Sequence, residues 1–294
     1  MRSLQYLDTS AVRGLGARLA SVQRQRSVFT SVLTVIELVS GLTAGEHEYR
    51  RRRANILDLV RAGLRISWEL PEGRIYQAFP FLGRIFKASE NATGPLRSLM
   101  QRLEACPTLD LFEAVRCETT IKELLVWIDG YEERLSREFM EATNLGAGEV
   151  RRAFRAAPQE QLARLSRLGI RIDGSLADLC QSLVAHSLNR DLMLYALASG
   201  LSQTLVNDSS EEMLRAIFES YDHSIDAYID AFAHYSTMKK GLGGSAGRND
   251  GFDLAHFLYL VPGTALITED TRMRDLARAI GWPVESIPGV AGRI

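Results

Sequence analysis

The chain has 294 residues, 46% of them hydrophobic, which is enough to bury a sizeable core in one large domain or in one domain that carries an insertion. Its 35 lysine and arginine residues nearly balance its 36 aspartate and glutamate residues, which excludes a globally basic protein. A polyanionic partner would therefore have to be held by local basic patches.

The cysteines and the apolar runs indicate the cellular setting that we expect. The three cysteines are odd in number and show no C-x-x-C spacing, which argues against a disulfide framework or a zinc site. The N-terminus lacks the long apolar stretch of a signal peptide, and no run approaches the roughly 18 apolar residues of a membrane span. We therefore expect a cytoplasmic protein that acts without a membrane.

Strands and helices are predicted to alternate over the first 70 residues. Residues 4–7 form a strand-like run, and the polar residues that follow it favour a helix N-terminus. Residues 28–30 predict a second strand before a helix with apolar residues at 32, 35, 36, 39 and 42. A helix over 46–62 and a third strand over 64–68 complete this part.

Residues 71 to about 240 carry helical patterns and almost no strand signal. One apolar stripe consists of Ile121, Leu124, Leu125, Ile128, Tyr131 and Leu135. The glycine-rich residues 239–247 predict a flexible linker.

The alternating pattern returns after this linker. It predicts a helix over 252–260, a strand over 265–268, a helix over 272–280 and an edge strand over 284–287. Because a lone C-terminal remainder would lack a sheet to join, we predict one α/β domain (1–70 and 246–294) interrupted by an all-α insertion (71–245).

Four carboxylates are predicted to converge at one edge of the sheet. Asp8 and Asp270 follow strands, and ligands bind beyond the carboxyl ends of parallel strands. Glu37 and Asp253 lie on helices, beside rather than within the apolar stripes. Converging carboxylates repel one another unless a cation neutralises them, so the cluster predicts a site for Mg²⁺ or Mn²⁺. Such an ion can activate a water that attacks a phosphodiester.

These residues resemble the PIN-domain family, which includes the ribonuclease toxins of bacterial toxin–antitoxin pairs. The resemblance covers about residues 1–70 and 248–294, and four motifs carry it: Tyr6-Leu7-Asp8-Thr9-Ser10, the S-x-x-T-x-x-E-L run over 31–38, Asp253-Leu254-Ala255-His256, and Leu266-Ile267-Thr268-Glu269-Asp270. It implies a parallel sheet flanked by helices and a metal-dependent endoribonuclease whose acids are Asp8, Glu37, Asp253 and Asp270. RNA as the substrate rests on this resemblance, and DNA is the alternative.

Other interpretations of the same acids remain open. Asp8 and Asp253 would serve equally as helix caps or first-turn acids, and Glu37 and Asp270 as solvated side chains. Asp250 competes with Asp253 for the third position, and we prefer Asp253 because Asp250 is predicted to precede the helix. His256 follows the third acid, although a lone histidine on a helix more often belongs to packing or to the surface.

The basic residues and the helical block also allow two interpretations. Lys239, Lys240 and Arg248 are candidates for binding the nucleic acid near the metal, with linker solubility as the alternative. The run 50–53, four consecutive arginines, predicts either a phosphate grip or a solvated helix face. The helical block could form a lid, a homodimer interface or a site for a protein partner. The rival from another class is a non-catalytic PIN-like scaffold.

Overall fold

A five-stranded parallel sheet forms the centre of the protein. The computed structural model describes residues 4–83, 93–143, 156, 158–172, 174–208, 210–242, 246–247 and 249–287. The strands lie in the order β3-β2-β1-β4-β5 and comprise β1 (Leu4–Leu7), β2 (Val28–Ser31), β3 (Arg65–Ser67), β4 (Thr264–Ile267) and β5 (Val284–Glu285). All five predicted strands are confirmed; β1 has the predicted bounds, and those of the other four differ by one or two residues.

The register of the sheet brings distant parts of the chain to one edge. Leu7 pairs with Ile267, so the last residues of β1 and β4 lie side by side. Ser31 pairs with Ser67 in the same way at the end of β3. Strand β1 is the central strand and β4 is its neighbour, and both are almost wholly buried, which accounts for their apolar sequences. The residues that follow both strands therefore meet above the middle of the sheet.

Helices flank the sheet, and every described element between β3 and β4 is helical. The α-helices are α1 (Thr9–Leu15), α2 (Leu19–Gln25), α3 (Val32–Ser40), α4 (Glu46–Arg61), α5 (Pro71–Gln77), α6 (Pro80–Gly83), α7 (Thr93–Arg102), α8 (Leu109–Arg116), α9 (Thr119–Thr143), α10 (Gln159–Arg167), α11 (Leu176–Val184), α12 (Ser187–Leu201), α13 (Glu211–Glu219), α14 (Asp226–Gly241), α15 (Asp250–Ala255) and α16 (Thr271–Ala279). Short 3₁₀ turns cover Gly16–Arg18, Leu103–Ala105 and His256–Tyr259, and a π-helical turn covers Ser202–Val206.

The hydrophobic core is shared by the sheet and the helical block. Tyr6 and Leu7 of β1 belong to the same buried cluster as Ile121 and Ile128 of α9 and Ile217 of α13. The apolar stripe predicted on α9 is thus part of the core, because four of its six residues are buried. Within the described ranges, none of the helices combines the length and the apolar character needed to cross a membrane.

The predicted linker over 239–247 is wrong in its first part. Lys239, Lys240 and Gly241 are the last residues of α14. A Cβ atom on Gly241 would lie 2.6 Å from Cβ of Cys180 in α11, so this glycine permits close packing of two helices. Glycine occurs where backbones approach closely as well as in flexible segments, so Gly241 does not indicate a flexible linker.

Helix α15 also begins earlier than predicted. It starts at Asp250 and gives way to the 3₁₀ turn at His256, whereas the sequence pattern predicted one helix over 252–260. Asp250 therefore does not precede the helix, and the preference for Asp253 on that ground is wrong. The choice between the two acids has to be made from their surroundings.

Candidate functional site

Asp8 lies at the carboxyl end of the central strand and is held by a set of short hydrogen bonds. Its side chain is buried, with 1% exposure. Oδ1 accepts from the backbone N–H of Ala11 at 2.8 Å, which makes Asp8 the N-cap of α1. Oδ2 accepts from the hydroxyl of Thr268 at 2.6 Å. Burial raises the pKa of Asp8, while the charge of His256 and these donors act in the opposite direction.

Ser10 connects the first acid to the fourth. Its hydroxyl lies 2.9 Å and 3.0 Å from the two carboxylate oxygens of Asp8. The same oxygen accepts from the backbone N–H of Glu269 at 2.8 Å and from that of Asp270 at 3.2 Å. One hydroxyl thus bridges the loops after β1 and β4. The sequence motifs include Ser10 and Thr268, but nothing in them indicated that these residues bond to Asp8.

Glu37 reaches the same region from α3. Its Oε2 accepts from the hydroxyl of Thr9, the residue next to Asp8. His256 places Nε2 at 3.3 Å from the same oxygen. Burial would raise the pKa of Glu37, but the hydrogen bond and the positive charge of His256 outweigh it and lower that pKa. The alternative interpretation of Glu37 as a solvated side chain therefore does not fit, since the side chain is only 25% exposed and is hydrogen-bonded.

Asp253 lies in surroundings that disfavour its ionised form. Burial raises its pKa to about 7; His256 opposes the rise, and the negative charges of Asp270, Glu37 and Asp250 add to it. Three acids from three separate segments therefore act on one carboxyl group. A site in which carboxylates repel one another in this way favours a bound cation.

Asp250 has hydrogen-bond donors and cations of its own beside it and differs from Asp253 in this respect. It is 5% exposed and accepts hydrogen bonds from the Tyr235 hydroxyl and, at 2.7 Å, from the N–H of Gly247. Arg272 lies 3.4 Å from its Oδ1, and Lys239 lies 3.9 Å from its Oδ2. These bonds give the buried Asp250 a structural role, so the surroundings of the two acids favour Asp253 as the third acid.

The predicted nucleic-acid contacts have different outcomes. The Lys239 ammonium is near Asp250 and stands over the Tyr235 ring at 5.4 Å from its centroid, so it has partners within the protein. Lys240 belongs to α14, and its side chain lies outside the described part. Arg248 is also outside the described residues. These three positions stay predictions as contacts for a nucleic acid.

The arginine run on α4 is bonded to the protein itself. Arg50 and Arg51 pair with Glu46 and Glu48 on the same helix. Arg52 donates to the backbone carbonyl of Glu37 at 2.5 Å, and Arg53 donates to the carbonyls of Leu103 and Glu104 at 2.8 Å and 2.9 Å. Two of the four arginines thus fasten α4 to neighbouring segments, which neither of the two interpretations from sequence anticipated.

The donor set suits a divalent cation in its chemistry. Asp8, Glu37, Asp253 and Asp270 supply carboxylate oxygens, the ligands that Mg²⁺ and Mn²⁺ prefer. Across the described part of the chain, however, no three histidine, cysteine, aspartate or glutamate side chains are grouped so that they could hold one metal ion. Asp270 is also the N-cap of α16, because its Oδ1 accepts from the N–H of Met273 at 2.9 Å. Both strand-end acids therefore have a structural role in addition to the proposed one.

No protein-family model matches this chain, and comparisons with curated proteins and with solved structures find no similar protein. The resemblance to PIN domains therefore stays a prediction from the four sequence motifs.

Proposed function

We propose that the protein is a metal-dependent endoribonuclease with a PIN-like core and a large helical insertion. The observation that carries the proposal is that hydrogen bonds link the segments of three of the acids: Ser10 bonds to Asp8 and to the N–H of Asp270, and Thr9 bonds to Glu37. Carboxylates at the carboxyl edge of a parallel sheet offer the oxygen ligands that a hard cation prefers. Burial, together with the charges of Asp270, Glu37 and Asp250, also raises the pKa of Asp253 to about 7.

Asp8, Glu37, Asp253 and Asp270 are the residues that would hold Mg²⁺ or Mn²⁺. When bound, the ion would lower the pKa of a water molecule and offset the charge that develops on the leaving oxygen. Ser10 and Thr268 would orient Asp8 and oppose the effect of burial on its pKa, because they donate hydrogen bonds to its carboxylate. No side chain of the protein has to act as a nucleophile in this scheme.

RNA is proposed as the substrate on the sequence motifs, and single-stranded or flap DNA is the alternative within the same chemistry. Arg272 is 81% exposed and lies on α16, which begins just after Asp270. It is therefore a cation that a phosphate chain passing the acidic edge could reach.

A second candidate function is a non-catalytic scaffold, which one specific observation favours. Asp8 and Asp270 both cap helices, so their presence has a structural reason that needs no metal. A scaffold of this kind would use its helical block to bind a partner protein. The two candidates differ in one measurable respect, because the scaffold requires no divalent cation.

The experiment is a cleavage assay on single-stranded RNA and on single-stranded and flap DNA, with Mn²⁺ or with EDTA. It compares the wild type with Asp8→Asn and Asp270→Asn. Asparagine caps helices about as well as aspartate does, so both variants should stay folded while the charge is lost. We expect RNA cleavage that needs Mn²⁺ and that falls at least about 100-fold in both variants. Loss of a group that only orients a metal ligand reduces activity by up to about 100-fold, so loss of a ligand should reduce it at least as much. Cleavage that persists in EDTA or in Asp8→Asn would refute the proposal.

A further inference from the structure

His256 lies buried between Glu37 and Tyr6, and both of its ring nitrogens contact polar atoms. The histidine is 2% exposed, and Tyr6 is fully buried. Nε2 is 3.3 Å from Oε2 of Glu37, and Nδ1 is 2.5 Å from the hydroxyl oxygen of Tyr6. The chain of contacts continues from Tyr6 to the hydroxyl of Ser31 at 2.7 Å.

The partners of the imidazole determine where its proton lies. An ionised carboxylate only accepts hydrogen bonds, so Nε2 must carry the proton that is donated to Glu37. Nδ1 is within hydrogen-bond distance of the hydroxyl oxygen of Tyr6, which can donate to a neutral ring or accept from a protonated one. The hydroxyls of Tyr6 and Ser31 are also hydrogen-bonded to each other. The buried tyrosine thus holds the imidazole in the orientation that bonds to Glu37.

The position of His256 in the chain also connects the two helical acids. It begins the 3₁₀ turn that follows α15 and stands three residues after Asp253, whereas Glu37 belongs to α3. Residues three apart in a helical segment lie on the same side of it. The contact with Glu37 therefore fixes α3 against the segment that carries Asp253.

We propose that His256 is a positioning residue for the carboxylate of Glu37, and that Tyr6 and Ser31 hold the imidazole in place. This inference rests on the proposed function, because it concerns how the same site is prepared for its cation. Thr9 and His256 both bond to Oε2, so among the described residues Oε1 of Glu37 receives no hydrogen bond and stays available for a ligand. Hydrogen-bond partners of this kind fix the orientation of carboxylates that bind metals.

A histidine that serves only packing would not need this arrangement. Burying an imidazole with a polar partner at each nitrogen is costly unless the bonds are made, and an apolar side chain would fill the space without them. The ring of Tyr6 already packs against Phe29 and Tyr259, with centroids 5.3 Å and 5.9 Å apart. The ring of Tyr6 is thus packed between aromatic side chains, while its hydroxyl contacts His256 and Ser31.

The first test measures Mn²⁺ affinity by isothermal titration calorimetry on the full chain. His256→Leu removes the donor to Glu37 and is expected to weaken Mn²⁺ binding about 10- to 100-fold. His256→Gln offers an amide N–H and should recover most of the affinity. His47→Leu is the control, because the His47 side chain is 90% exposed. A folded His256→Leu protein with wild-type affinity for Mn²⁺ would overturn the proposal.

The second test uses the wild type and does not depend on a variant that must fold. The nitrogen resonances of the five histidines are followed by ¹⁵N NMR while Mg²⁺ is added. We expect Nε2 of His256 to be protonated and its resonance to shift in step with Mg²⁺ saturation, while that of His47 stays in place. If calorimetry shows binding and the His256 resonances do not move, the positioning role is wrong and the proposed function stands. If the wild type binds neither Mg²⁺ nor Mn²⁺, both proposals fail.

Discussion

Replacing Asp253 by asparagine is expected to stabilise the cation-free protein at pH 8. The pKa of Asp253 in the folded protein is about 7, against an ordinary value of 3.8. Below pH 3.8 the carboxyl group is protonated in the folded and the unfolded chain alike. Between the two pKa values the unfolded chain releases the proton and the folded protein keeps it, so the free energy of unfolding falls as the pH rises. Above about pH 7 the carboxyl group is ionised in both states, and the free energy of unfolding falls no further on account of Asp253.

The magnitude follows from the difference between the two pKa values. At 1.36 kcal/mol per pKa unit, the difference between about 7 and 3.8 gives a ceiling of about 4 kcal/mol. Asp253 is half-buried, so solvent screening reduces this figure, and we expect a gain of about 2 kcal/mol at pH 8. At pH 4 the gain should be below about 0.5 kcal/mol, because the protonated acid and the amide are then both neutral.

Urea unfolding followed by circular dichroism at pH 4 and pH 8, in EDTA, measures this effect. Asp275→Asn is the matched control, because Asp275 is exposed on the following helix and, among the described residues, pairs only with Arg278 on its own helix. Its unfolding free energy should change by less than about 0.5 kcal/mol at both pH values. If Asp253→Asn is no more stable than the wild type at pH 8, the idea that burial and the neighbouring acids disfavour the ionised form of Asp253 is wrong.

Two further predictions concern bonds that join distant segments. Ser10→Ala removes a donor to the buried Asp8 and the acceptor for the N–H of Glu269. It should lower the unfolding free energy by about 1–3 kcal/mol in urea titrations. An unchanged midpoint of urea unfolding would contradict the bridging role of Ser10. Arg190→Gln removes the ion pair with Asp226 that joins α12 to α14. Burial opposes ionisation of Asp226, but the hydrogen bonds from Arg190 and Tyr221 and the nearby positive charges together outweigh it and lower the pKa of that acid. The pair with Arg190 therefore stabilises the protein above the ordinary pKa and loses its effect as the pH falls below it. Thermal melting should show a larger loss for Arg190→Gln at pH 7 than at pH 3, and equal losses would refute the argument.

Periodicity was sufficient to predict the secondary structure around the sheet. Short apolar runs predicted the strands, and the buried stripe of Ile121, Leu124, Ile128 and Tyr131 was predicted from helical spacing. The pattern failed at Gly241, because the sequence does not distinguish a glycine that permits close helix packing from one in a flexible linker. The start of α15 at Asp250 was missed for a similar reason, since the approach to it is rich in glycine.

The candidate site could be predicted only as a set of residue types. Strand ends identified Asp8 and Asp270, but the bonds from Ser10 and Thr268 to Asp8 depend on the register between β1 and β4. The contact of His256 with Tyr6 joins residues 250 positions apart in the chain, and no spacing rule reaches that far. Local patterns therefore identify which acids are available, and only the fold shows what surrounds each of them.

The central claim is that the acids at the sheet edge hold a divalent cation which cleaves RNA, and one comparison tests it most directly. Cleavage of a single-stranded RNA in Mn²⁺ is measured for the wild type, Asp253→Asn and Asp275→Asn. We predict cleavage by the wild type and Asp275→Asn, and its loss in Asp253→Asn, a variant that should be at least as stable as the wild type without the cation. Equal cleavage by all three proteins, or none by the folded wild type, would contradict the claim.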